Sequence, residues 1–200
     1  MKQLFPLLLL FLFACNSSND KQTINTVNTD SNTLKTSIDS TPYLDQIDTC
    51  LLGDINADKI IDTAFVLPPK FEDPMDIHNG GCVNDDCTIK VRFSNGLPQF
   101  SFGQAISGRV YNIQDIDKDG ISEILLCPGW FQGCWGLMRF YSLKNNVWEE
   151  FGSARAYMCD DENIAERVRI INKKTIDVSE DILDDTSERV KRTKRIFLKN

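Results

Sequence analysis

Asp115-Ile116-Asp117-Lys118-Asp119-Gly120-Ile121-Ser122-Glu123 sets acidic side chains at positions 1, 3, 5 and 9 of one short turn. Carboxylate oxygens at that spacing can converge on a single hard cation, and Ca²⁺ takes oxygen ligands of this kind. Position 7, Ile121, would add its backbone carbonyl. Gly120 stands where such a loop must turn sharply, and glycine does so without a Cβ penalty. The flanks, Arg109–Gln114 and Ile121–Cys127, are rich in β-formers. The expectation is an acidic cation loop between two strands.

A related turn lies 61 residues upstream, where Asp54, Asn56, Asp58 and Asp62 align with Asp115, Asp117, Asp119 and Glu123. Ile55 aligns with Ile116, Ile60 with Ile121, and Ala64-Phe65 with Leu125-Leu126. A repeat of this length points to stacked supersecondary units. Lys59 occupies the place of Gly120. That puts a side chain where positive φ is needed and a cation beside the acids. The second loop is therefore the better-formed site and the first the weaker one. An EF-hand would need a bidentate Glu at position 12 between two helices; here position 12 is Leu126.

These D-x-[DN]-x-D-x-x-x-[DE] turns, each followed by an apolar strand, resemble the FG-GAP/VCBS-type repeats of integrin-like β-propellers. The resemblance spans roughly Leu51–Phe151, with repeats near 51–103 and 112–153. It implies that each loop joins two strands of a blade and holds a structural Ca²⁺ ion, one or two in all.

The rest of the chain reads as short strands. Ile60–Leu67 stops at Pro68-Pro69, and Lys70–Gly81 is a polar surface loop. Thr88–Phe93 and Leu97–Phe102 form a hairpin across Ser94-Asn95-Gly96. Leu137–Leu143 and Val147–Phe151 flank Lys144-Asn145-Asn146, and Val168–Asn172 pairs with Thr175–Val178 across Lys173-Lys174. Val190–Leu198 is a final strand, and no stretch has convincing helical periodicity. A closed propeller needs about four or more blades, and Tyr43–Asn200 has room for fewer than three. The expected fold is all-β: antiparallel, propeller-blade-like sheets in a partial or atypical propeller, stapled by disulfides.

The N-terminus bears on the compartment. Met1-Lys2 and the apolar run Leu4–Ala14 have the form of a secretory signal, too short for a transmembrane helix of about 20 residues. Leu12-Phe13-Ala14-Cys15 resembles the bacterial lipobox, which implies cleavage after residue 14, lipid on Cys15, and attachment at the bacterial cell envelope, expected at the outer membrane on its periplasmic or surface side. Asn16–Thr41 has no aromatic residue and no periodic apolar face, the composition of a disordered tether. Residues 43–200 would be the β domain. Removing Cys15 from seven cysteines leaves six: Cys50, Cys82, Cys87, Cys127, Cys134 and Cys159. An even number in an exported chain suggests a disulfide framework. The close spacings suggest Cys82–Cys87 and Cys127–Cys134, leaving Cys50 with Cys159.

The net charge of −7 argues against nucleic acid as a partner. Arg189–Asn200 alone carries six cations and no anion, read as a solvated strand face or a contact for anionic lipid. Gly129–Gly136 brackets Trp130 and Trp135 with glycines, either a stacking surface for glycan or protein, or residues packed between sheets. Ser107-Gly108-Arg109-Val110-Tyr111 loosely resembles the Ser-Gly-x-Tyr loop of periplasmic lysozyme inhibitors, with one extra residue. The lone His78 has no Ser/His/Asp set around it, and no catalytic residue is expected. The primary reading is a non-catalytic, calcium-binding module on a lipid anchor, with an unknown protein or glycan partner. The alternative is an inhibitor or immunity protein against a lysozyme-like peptidoglycan hydrolase, using Ser107, Tyr111 or the Trp loop. A hydrolase on the same scaffold ranks third.

Overall fold

Ile124-Leu125-Leu126-Cys127 contains no polar side chain, the pattern of a strand covered on both faces rather than one. The computed structural model describes residues 47–73, 81–94, 96–131, 133–159 and 163–198, all within the unit Ser40–Asn200. The leader, Cys15, the tether and His78 lie outside the described residues.

Eleven strands are described: β1 Asp48–Gly53, β2 Asp62–Leu67, β3 Thr88–Phe93, β4 Phe100–Gly103, β5 Ser107–Asn112, β6 Ile124–Gly129, β7 Trp135–Lys144, β8 Val147–Tyr157, β9 Val168–Asn172, β10 Thr175–Leu183 and β11 Arg189–Phe197. Two short 3-10 turns accompany them, and no α-helix occurs among the described residues. The strands form three antiparallel meanders, ordered β1-β2-β3-β4, β5-β6-β7-β8 and β11-β10-β9. The all-β, antiparallel expectation holds. Sequence reasoning did not mark β1, whose alternating exposure leaves only Leu52 buried.

The middle sheet is covered on both sides. Ile124 and Leu126 of β6 join Ile89, Val91, Val110 and Trp148 in one cluster, and Leu125 and Cys127 join Met138, Phe140, Ile176 and Ile196 in the other. Strict alternation of side chains along one strand therefore feeds two cores. Aromatic rings seal the first layer: Phe93 and Phe100 lie against Trp148, and Phe100 against Tyr141. The Trp148 indole N–H donates to the Pro98 carbonyl at 2.9 Å. In the β7–β8 hairpin, Asn145 and Asn146 adopt φ of 49° and 65°, the left-handed pair that suits a two-residue turn. Further along, Phe140 pairs with Gly152 and Tyr141 with Glu150, so the ladder bulges at buried Phe151.

The third sheet has a different character. Its β10 carries Asp177, Glu180 and Asp181, all buried. Arg195 donates to Asp177 from β11 and Arg169 from β9; Arg192 donates to Glu180; Arg167 pairs with Asp181, which also accepts from the Tyr157 N–H at 2.8 Å. The cationic tail is thus an edge strand whose arginines reach over buried acids on the neighbouring strand.

The disulfides correct part of the sequence reading. Cys82–Cys87 forms, but Cys134 pairs with Cys159, while Cys50 and Cys127 are free thiols. Strand register is the reason: Trp135 faces Tyr157 across β7–β8, which carries Cys134 and Cys159 to the same end of the hairpin. Cys127 instead points from mid-strand into the core, where burial pushes its thiol up to about 12. Cys50 lies where β1 meets β5 and accepts from the Val110 N–H at 3.3 Å.

Two outcomes follow from this packing. A methyl group at Gly152 would lie 2.3 Å from Ile196 Cγ2, so Gly152→Ala should destabilise by about 1–3 kcal/mol. The penalty should largely vanish in an Ile196→Ala background, measured by denaturant unfolding. Arg195, with Arg169, holds the Asp177 carboxyl down to about 2. Because the folded value lies below the unfolded one, this stabilisation is complete above about pH 4 and is lost as pH falls toward about 2. Asp177→Asn should flatten thermal stability over that interval, and an unchanged acid limb would show that other carboxylates dominate it.

Candidate functional site

Both acidic turns occupy the same place in their sheets. Residues 54–61 connect β1 to β2, and residues 113–123 connect β5 to β6. Asp and Asn side chains readily accept from backbone N–H groups within tight turns. Asp54 accepts from the Asp58 and Lys59 N–H groups at 3.2 and 2.8 Å. Asp115 accepts from Lys118 and Gly120 at 2.7 and 3.1 Å. Asn56 and Asp117 each accept from the residue two positions on, at 3.2 Å in both loops. Asp58 and Asp119 do the same toward Ile60 and Ile121, at 2.7 and 3.0 Å.

The innermost bonds also match. Buried Asp62 accepts from the Ile55 N–H at 3.0 Å, and buried Glu123 from the Ile116 N–H at 2.7 Å. Ile55 and Ile116 are both fully buried. The turns touch, since the Ser122 N–H donates to the Ile55 carbonyl at 2.7 Å. β1 also lies along β5: Asp48 accepts from the Gly108 N–H at 3.3 Å, and the Leu52 carbonyl from the Asn112 amide at 2.9 Å.

Their capacity for a cation differs. In the second turn, ligand oxygens of Asp115, Asp117 and Glu123 lie within 4.8 Å of one another, the one such acidic cluster found among the described residues. These are hard oxygen donors, which suits Ca²⁺. Burial pushes the Glu123 carboxyl up to about 7, and the Asp117 charge adds to it against the Ile116 N–H. Asp119, expected as a fourth ligand, is not in that trio and shares Lys144 with Asp117, and the Ile121 side chain packs against the core. In the first turn, Asn56 donates its amide to Asp58 at 3.0 Å, so a neutral group stands where the second turn has Asp117.

Lys144 was not marked by sequence reasoning, which placed it in a hairpin turn. It closes β7, and its ammonium bonds Asp117 and, at 3.1 Å, Asp119. The Asp117 bond, then the Asp119 bond, raise its pKa above the ordinary lysine value. Nothing in the local sequence of the loop signals a partner arriving 25 residues later.

The aromatic loop divides between surface and cover. Trp130 is 52% and Trp135 45% exposed. Trp130 stands edge-on to Phe131, which meets Phe71 in a small cluster with the Cys82–Cys87 bridge. Trp135 stands edge-on to Tyr157, and Arg189 lies 4.3 Å over the Tyr157 ring. A depression of about 460 Å³ beside them is lined by Trp135, Gly136, Leu137, Arg155 and Leu183. Packing of both indoles between sheets is therefore not what is found. Ser107 and Tyr111 lie within β5 rather than in a projecting loop, with Tyr111 half-buried against the core.

No protein-family model, no curated protein and no solved structure matches this chain.

Lys59 adopts φ of 70° where Gly120 adopts 96°, so an L-residue is held in the left-handed region. Lys59→Gly should stabilise by about 0.5–1 kcal/mol once the flexibility gained by the unfolded chain is offset. Gly120→Ala, with open space around the added methyl, should destabilise by about 1 kcal/mol from backbone strain alone. Opposite signs in chemical denaturation would verify the pairing of these positions.

Proposed function

We propose that the chain is a lipid-anchored envelope protein whose β domain is a non-catalytic binding module stabilised by calcium in propeller-like sheets. The observation that carries this reading is the placement of the same acidic turn, with the same internal hydrogen bonds, between the first two strands of each four-stranded meander. Asp115, Asp117 and Glu123 would hold the ion, and it would supply charge neutralisation and rigidity rather than a reactive water. The first turn, with Asn56 in place of an acid and Lys59 within it, would bind more weakly or not at all.

The exposed indoles of Trp130 and Trp135 are the surface on which a protein or glycan partner would rest. A rigid aromatic ring loses little conformational entropy on contact, which is why such rings are favoured at binding surfaces. The signal-like leader and the lipobox resemblance at Cys15 support attachment at the cell envelope, on the periplasmic or surface side.

Thermal unfolding with Ca²⁺ and with chelator, alongside Asp117→Ala, tests the calcium reading. At an affinity of about 10⁻⁴–10⁻³ M, millimolar Ca²⁺ should add about 1 kcal/mol, or roughly 2–4 °C for a domain of this size. Asp117→Ala should abolish the increment. Identical melting of all samples would remove calcium from the proposal.

A further inference from the structure

Asp117 is claimed twice. Its carboxylate belongs to the converging trio of the second turn, and it also accepts from the Lys144 ammonium. A divalent ion beside Asp117 and an ammonium on the same carboxylate repel each other, so full occupancy by one weakens the other.

The lysine is placed for this competition by a strand outside the loop. Lys144 ends β7 beside the two-asparagine turn, which fixes its backbone while the four-carbon stem remains flexible. Its side chain is 30% exposed, so a path to solvent is open. Its hydrogen bonds go to Asp117 and Asp119, on the outer side of the cluster. Glu123 is the buried member of the trio.

A second observation points inward from the same strand. Ser142 lies two residues before Lys144 on the same face of β7. It is 4% exposed, and its Oγ has no hydrogen-bond partner. The hydroxyl lies beside Glu123, one step beyond the Ile124–Tyr141 pair of the β6–β7 ladder. A buried hydroxyl left unpaired is costly, and the ammonium does not relieve it. An ion seated among Asp115, Asp117 and Glu123, or a water bound to that ion, would offer Ser142 Oγ a partner. The first turn has no such lysine from the matching strand end, where Ser94 Oγ accepts from the Thr63 N–H instead.

We propose that Lys144 is a tethered counter-cation of the second turn, which Ca²⁺ must displace from Asp117, so that this lysine sets the loop's calcium threshold and is released to solvent on binding. The proposal rests on the calcium reading above and assigns a specificity-determining role to a residue outside the acidic motif.

The test uses the full chain, CaCl₂ as the titrant, and Lys144→Met, which keeps the apolar stem and removes the charge. Isothermal titration should show at least tenfold tighter Ca²⁺ binding for Lys144→Met than for the wild type. Amine labelling of the wild-type chain, read by mass spectrometry at Lys144, should accelerate severalfold at saturating Ca²⁺. Equal affinities, or a labelling rate unchanged by bound Ca²⁺, overturn the inference and leave the calcium reading standing. Absence of Ca²⁺ binding by both chains removes the two together. If Lys144→Met does not fold, wild-type labelling decides alone.

Discussion

A buried carboxylate holding the amide of the second loop residue is the constraint on which the architecture turns. Asp62 does this to Ile55, and Glu123 to Ile116. Each bond spans seven residues and draws the end of the turn back over its start. The apolar side chain between them is thereby driven inward, where both isoleucines are almost wholly buried. An acid in such a place is costly unless hydrogen-bonded, and a backbone N–H in such a place is equally costly unless accepted. Each group removes the other's penalty. The hairpins β1–β2 and β5–β6 inherit their register from that closure.

Once both turns are closed, the first two sheets fit together along a shared line. The Ile55 carbonyl receives the Ser122 N–H, and β1 supplies Asp48, Cys50 and Leu52 as acceptors for donors on β5. An edge strand is otherwise a liability, with unpaired backbone groups open to another chain. Here β1 covers part of the β5 edge. The third sheet has a shorter acidic turn, in which Asp184 accepts from the Thr186 and Glu188 N–H groups, and it secures β10 by arginines reaching from β9 and β11 over Asp177 and Glu180. Pairing matters there because isolated buried carboxylates would be strongly destabilising.

Much of this was legible in the sequence because it depends on local rules. Alternating apolar residues, asparagine-rich turns and paired prolines mark most of the strands, and the spacing of Asp115, Asp117 and Glu123 marks the residues that converge. What escaped is non-local. β1 presents Leu51 to solvent and offers the core buried Leu52 and half-buried Cys50, so its composition carries no strong strand signal. Sequence proximity suggested joining Cys127 to Cys134, whereas an eleven-residue strand returns Cys159 to Cys134 and leaves Cys127 facing the core. The cationic tail read as a solvated face because its carboxylate partners lie on the preceding strand. Lys144 shares that difficulty: no periodicity within β7 announces that its end lies over a loop closed more than twenty residues earlier.

The two turns also separate what the backbone needs from what a cation would add. In the first, Asp54, Asp58 and Asp62 each accept at least one N–H, and Asn56 brings an amide donor rather than another charge. That loop can close on hydrogen bonds alone, even with Lys59 held at positive φ. The second loop uses the same set of bonds and then carries one acid more, Asp117 where the first has Asn56. Its closure is no better hydrogen-bonded, so the additional negative charge has no backbone role to explain it. Lys144 meets that charge from outside and Ser142 stands unpaired beneath it. The surplus over the first turn is therefore electrostatic, and the Lys144 ammonium is the cation that answers it.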